Sequence, residues 1–142
     1  MPATKLEKFL ADLAAIQDRD ERVELLIETA ARFQGVPEHI AKRPYPESNL
    51  VPACQSEAYI FAQKQPDGTL KFHTAVENPQ GISAKAMAVI LDEFLSGAPL
   101  AQVIEVKSDI VYEIFGRGLA MGKGQGLMGM LFLTQALARN AP

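Results

Sequence analysis

Cysteine is nearly absent: Cys54 stands alone in 142 residues, beside two histidines and no tryptophan. One thiol cannot close an internal disulfide, cannot form a Cys-x-x-Cys redox pair, and cannot supply a multi-cysteine zinc site. His39 and His73 lie far apart without a clustered carboxylate, which makes a poor metal set, so no metal site is expected. Net charge is only −3, and Lys and Arg are scattered, so no basic stripe marks a nucleic-acid partner. No segment approaches the run of about 18 apolar residues that spans a bilayer, and Met1 to Leu10 lacks a basic start ahead of an apolar run. A cytoplasmic chain with no membrane partner is expected.

What is present reads as one ordinary globular domain over residues 1–142. Apolar residues make up 48% and charged residues 22%, and a chain of this length can bury a sizeable core. Leu6, Phe9, Leu10 and Leu13 recur at helical spacing and predict a helix from Thr4 to Ile16. Asp18 and Glu21 have capping-box spacing, and Val23, Leu26, Ile27, Ala30 and Phe33 form the apolar stripe of a second helix ended by Gly35. Pro37, Pro44, Pro46 and Pro52 then impose a loop.

Residues 57–65 and the alternating run Leu70, Phe72, Thr74 and Val76 flank Pro66-Asp67-Gly68, the signature of a β-hairpin. Ala86, Val89, Ile90 and Phe94 predict a helix after Asn78-Pro79-Gln80-Gly81. Pro99 opens a short helix, Ser108–Phe115 forms another, and Gln125–Arg139 forms the last. The order predicts an α/β fold of the α+β kind, a small antiparallel sheet flanked by helices in two layers.

The glycine-rich stretch from Gly116 to Gly129 imitates two phosphate motifs. Gly118 and Gly122 enclose three residues where a Walker loop needs four, and Gly124 follows Lys123 where a magnesium-binding hydroxyl is required. Gly124-Gln125-Gly126-Leu127-Met128-Gly129 matches the letters of a dinucleotide fingerprint but lacks a preceding strand and a second strand after it. The stretch is expected to be a flexible loop into the last helix, with glycines permitting close backbone approach.

Cys54 lies where a proline-rich loop meets a strand, between Pro52 and the polar pair Gln55-Ser56. A structural cysteine usually sits inside an apolar run. Reactive thiols need access and nearby donors for the anion, which Gln55 and Ser56 are placed to provide. Three readings are open on residues alone: a sulfur chemistry at Cys54, a small cysteine-dependent enzyme (a one-cysteine peroxidase or a Cys-His hydrolase), and a structural cysteine in an interaction module.

Cys54-Gln55-Ser56, preceded by Ser48-Asn49-Leu50-Val51 and followed by a strand containing Tyr59, resembles the SufE family of sulfur acceptors. The similarity extends through the hairpin to Gln125-Gly126-Leu127 and the final helix. It implies a partner of the SufS type, a pyridoxal-phosphate-dependent cysteine desulfurase that is bound and stimulated. Its sulfur would be accepted as a persulfide on Cys54 and passed toward iron–sulfur cluster assembly, with a SufBCD scaffold as recipient. No cofactor of the chain's own is implied, and the role is that of a sulfur carrier and activator rather than a stand-alone enzyme. Ser48, Asn49, Ala53, Gln55, Ser56 and Lys123 are implied as supporting or partner-binding residues. Ala53 stands where the family usually has glycine, Tyr59 where tryptophan is frequent, and Lys123 where arginine is usual. Alanine resists a positive φ that glycine accepts.

Overall fold

A computed structural model describes residues 4–54 and 56–141. Helix α1 (Lys5–Ala15) starts where the Thr4 hydroxyl accepts a hydrogen bond from the Glu7 N–H, and it buries Leu6 and Leu13. Helix α2 (Arg19–Ala31) is capped by Asp18, whose carboxylate accepts from the Asp20 N–H rather than from Glu21, so a one-sided cap replaces the expected capping box. The helix ends at Ala31, short of Gly35.

The apolar stripe read along α2 is also displaced. Val23 and Ile27 remain 46% and 50% exposed, whereas Thr29 and Ala30 are buried and Leu25, Leu26 and Phe33 pack against the core. The helix is turned by roughly one residue toward α3 (Ile82–Leu95), its main partner. Arg22 fixes that setting, donating to the Leu13 carbonyl at 3.0 Å and the Glu113 carbonyl at 2.6 Å.

The proline-rich segment contains a single 3-10 turn, Glu47–Asn49, and leads to the hairpin of β1 (Ala58–Lys64) and β2 (Leu70–Val76). These strands pair antiparallel from Ala58 opposite Val76 to Lys64 opposite Leu70, and an isolated bridge adds Leu50 beside Tyr59. At the turn Gly68 takes φ +88°, and the Asp67 carboxylate accepts from the Thr69 N–H. A hydrogen bond from the Thr69 hydroxyl, together with that from its N–H, holds the Asp67 carboxyl below the usual carboxylate range.

After the hairpin come α3, α4 (Leu100–Glu105), α5 (Ile110–Phe115) and α6 (Met121–Arg139). Among the described residues the architecture is therefore α+β, six α-helices around a two-stranded antiparallel sheet. Helix α3 covers β2 and α6 covers β1, and Ile60, Phe72, Met87, Ile90, Met130 and Leu131 meet in the space between. Burying each such side chain contributes about 1.5–3 kcal/mol.

Buried Gln135 anchors α6 against α4, its amide N–H groups facing the carbonyls of Val103, Ile104 and Val106 at 3.2, 3.1 and 2.7 Å. Those carbonyls belong to the end of a short helix, where backbone acceptors lack intrahelical partners. No helix among the described residues is long and apolar enough to cross a membrane.

Helix α6 begins four residues before the expected start at Gln125. Gly122 and Gly124, expected in a flexible loop, are helical, as is Gly126 within the expected helix. Glycine disfavours helix interiors by up to about 1 kcal/mol relative to alanine, so packing must favour helix here.

Candidate functional site

The chain approaches Cys54 and leaves it on adjacent rungs of the sheet edge. The Val51 N–H donates to the Ala58 carbonyl at 2.8 Å, and Leu50 bridges Tyr59, so the described residues 52–54 and 56–57 between them belong to a closed loop. Within it the Glu57 N–H donates to the Cys54 carbonyl at 3.1 Å. The loop is tied at its far side to the segment after β2, with Asn78 N–H donating to Ser56 O at 3.1 Å and Glu77 N–H to Glu57 O at 3.2 Å. Such tight closure forces two non-glycine residues into the left-handed region: Ala53 at φ +60° and Glu57 at φ +51°. The alanine that resists positive φ is thus held in it.

Cys54 is a free thiol, half-buried and packed against the edge of the core. It opens onto a cleft of about 180 Å³. Ser56 lines the cleft from the loop and Asn78 and Gln80 from the turn before α3. Ile82 and Ser83 come from the first turn of α3, and Gly122 and Lys123 from the first turn of α6. The amino ends of two helices, of 14 and 19 residues, therefore border the sulfur's cleft. Their aligned peptide dipoles favour negative charge there, and the Lys123 ammonium adds to it.

The residues singled out in the sequence divide into two sets. Cys54, Ser56 and Lys123 line one cleft, and Ala53 shapes the loop beside it. Gln55 lies outside the described residues. Ser48 and Asn49 sit in the 3-10 turn and do not line the cleft. Asn49 instead donates its side-chain N–H to the Ile60 carbonyl at 2.8 Å, bracing β1. Tyr59 packs against Tyr45 of the proline-rich segment, with ring centroids 5.1 Å apart and the rings tilted by 47°.

Neither histidine lines the cleft. His39 is exposed in the turn after α2, and His73 lies on β2 with Nε2 3.0 Å from the Gln63 amide oxygen. Burial and the neighbouring Lys71 ammonium push His73 below its usual range.

Sequence reasoning missed Asn78, Gln80, Gly81 and Ser83. Their only signal was the Asn-Pro-Gln-Gly turn, which announces a helix start but not what that start faces. Gly126 and Gly129 belong to the glycine-rich stretch expected to permit close backbone approach, and what they approach is the Cys54 loop. A Cβ on Gly126 would lie 3.2 Å from the Cys54 Cα and 3.3 Å from the Ala53 carbonyl oxygen, and one on Gly129 would lie 3.0 Å from the Pro52 oxygen.

Comparison with known proteins adds an independent line. Residues 7–138 match the family model described as SufE, Fe-S metabolism associated domain. A solution structure of a hypothetical protein from Thermus thermophilus superposes with a TM-score of 0.73 at 26% identity, covering 99% of this chain and 98% of that one. No curated protein matches the chain.

Proposed function

The chain belongs to the SufE family, with the role in iron–sulfur metabolism this implies, and from that premise we propose that Cys54 accepts sulfur as a persulfide from a cysteine desulfurase. The observation that carries the reading is the setting of Cys54: the chain's single thiol stands on a closed loop at the mouth of a cleft bordered by two helix amino ends and Lys123.

The chemistry is thiol exchange. The Cys54 thiolate attacks the outer sulfur of the donor's persulfide, a new S–S bond forms at Cys54, the donor's S–S bond breaks, and the donor cysteine leaves as thiolate. No oxidant is consumed, and the sulfane sulfur is conserved. The helix ends, the Ser56 and Ser83 hydroxyls and Lys123 favour the anionic sulfur before and after transfer. With no second cysteine in the chain, a persulfide on Cys54 cannot collapse into an internal disulfide.

The half-buried position protects such a persulfide from stray thiols, so delivery requires the loop to move outward when the desulfurase docks. The partner is a desulfurase of the SufS type, the onward recipient a cluster scaffold, and the setting the cytoplasm. Pyridoxal phosphate belongs to the partner, and the chain itself needs no cofactor. A Cys-His hydrolase is disfavoured because neither histidine borders the cleft.

The test is the turnover of the desulfurase, followed as alanine formed from cysteine, with wild type or Cys54→Ser added. Stimulation by wild type and none by the variant is expected. Equal stimulation by both would remove Cys54 from the reaction.

A further inference from the structure

Among the described residues, the Cys54 loop is seated against the backbone of α6 and holds no side-chain hydrogen bond to it. On one side it touches α6 where that helix has no side chain: the position a Cβ would take on Gly126 is 3.2 Å from the Cys54 Cα and 3.3 Å from the Ala53 oxygen. One turn on, the Gly129 position is 3.0 Å from the Pro52 oxygen and 3.1 Å from Val51 Cγ1. All four distances are tighter than ordinary van der Waals contact. Gly124, on the same helix, has only the Tyr112 hydroxyl at 3.7 Å, an ordinary separation. The glycines of α6 thus differ, Gly126 and Gly129 being tight toward the loop and Gly124 relaxed.

The two tight glycines face different backing. Gly129 faces Val51, which is 1% exposed and bonded into the sheet through Ala58. That neighbour cannot yield without disturbing the core. Gly126 faces Ala53 and Cys54, at the exposed end of a loop that already holds two residues at positive φ. That neighbour can yield, and the direction left to it is outward, away from α6.

We propose that Gly126 is a positioning residue: its missing side chain forms the seat that keeps Cys54 retracted, and bulk at this single position sets how far the sulfur stands out. The chemistry of Cys54 rests on the reading above, but the seat itself does not, because it is a steric relation between α6 and the loop.

The experiment compares Gly126→Ala, Gly124→Ala and wild type by the rate of Cys54 alkylation with iodoacetamide, read as intact mass, and by thermal unfolding. Alanine is the better helix former, so without the contact both variants would melt slightly higher and alkylate alike. With the seat, Gly126→Ala alkylates about tenfold faster, as expected when a local opening is favoured without global unfolding, and Gly124→Ala does not. Gly126→Ser reproduces the effect.

Wild-type alkylation in Gly126→Ala, or an equal rise in Gly124→Ala, would overturn the proposal. So would a Gly126→Ala chain that loses its helical circular dichroism, since the glycine would then be a requirement of the core. If Gly126→Ala alkylates faster yet neither it nor wild type takes up sulfur from a desulfurase, the seat stands and the sulfur reading falls.

Discussion

The hairpin turn and the Cys54 loop reverse the chain within a few residues of each other, yet they are built in opposite ways. At Gln65–Thr69 the positive φ falls on Gly68, the Gln65 N–H donates to Thr69 O at 2.9 Å, and the Asp67 carboxylate closes the turn from within. The turn is self-sufficient. In the Cys54 loop the positive φ values fall on Ala53 and Glu57, and beside the one internal bond from the Glu57 N–H to the Cys54 carbonyl the restraints among the described residues come from outside, from α6 and from the segment entering α3. A turn that serves folding carries its own glycine. A loop that presents a sulfur holds strained residues in place with glycines belonging to other elements, so it can be displaced without unmaking the sheet.

The contrast is sharpest at Gly81, where an added Cβ would lie 2.8 Å from Ser56 Oγ and 3.1 Å from both Ser56 Cβ and Val76 Cγ1. Gly81→Ala is expected to cost about 1–3 kcal/mol, since the strand and the loop base would both have to move. Thermal unfolding should fall by several degrees, and an unchanged midpoint would show that the loop base is not clamped from this side.

Next in size is Gly68→Ala. An alanine forced to φ +88° costs about 1–2 kcal/mol, and nothing else crowds the site. The melting point should drop while Cys54 alkylation stays at the wild-type rate. A change in alkylation would break the independence of the two turns.

Ala53→Gly runs the other way. Relief of a left-handed alanine contributes about 1 kcal/mol, and the looser unfolded chain takes back about half, leaving a small net stabilisation. Chemical denaturation should show a slightly higher midpoint, and a lower one would mean that Ala53 is unstrained.

The smallest effect concerns β2. Because His73 is held below its unfolded value of 6.5, the unfolded state binds the proton first, so the group's contribution is full above that value and is lost as pH falls through the folded one. His73→Gln should flatten that acid-side decline in stability without altering Cys54 reactivity. An unchanged slope would assign the decline to other groups.

The parts legible in the sequence are those whose determinants are local. Pro66-Asp67-Gly68 and the alternation of Leu70, Phe72 and Thr74 announced the hairpin, and Pro99 and Gly116 bracketed two short helices, because turn chemistry acts over a few residues. Cys54 and its loop were legible through composition and through the family resemblance. The burial of α2 was not, since the face that turns inward is chosen by α3 and by Arg22 reaching the Leu13 and Glu113 carbonyls. The start of α6 was illegible for the same reason. Glycines read locally as helix breakers, and only the backbone of residues 51–54, some seventy positions earlier, explains why side chains are missing there. Asn49 drew attention as a supporting residue, and its bond to the Ile60 carbonyl, which braces β1, has no signal in the sequence.

The measurement closest to the central claim is the intact mass of the protein after incubation with a cysteine desulfurase and free cysteine, without reductant, beside Cys54→Ser. The account predicts one added sulfur on wild type, removable by reductant, and none on the variant. Sulfur on both proteins, or on neither while the desulfurase turns over, would contradict it.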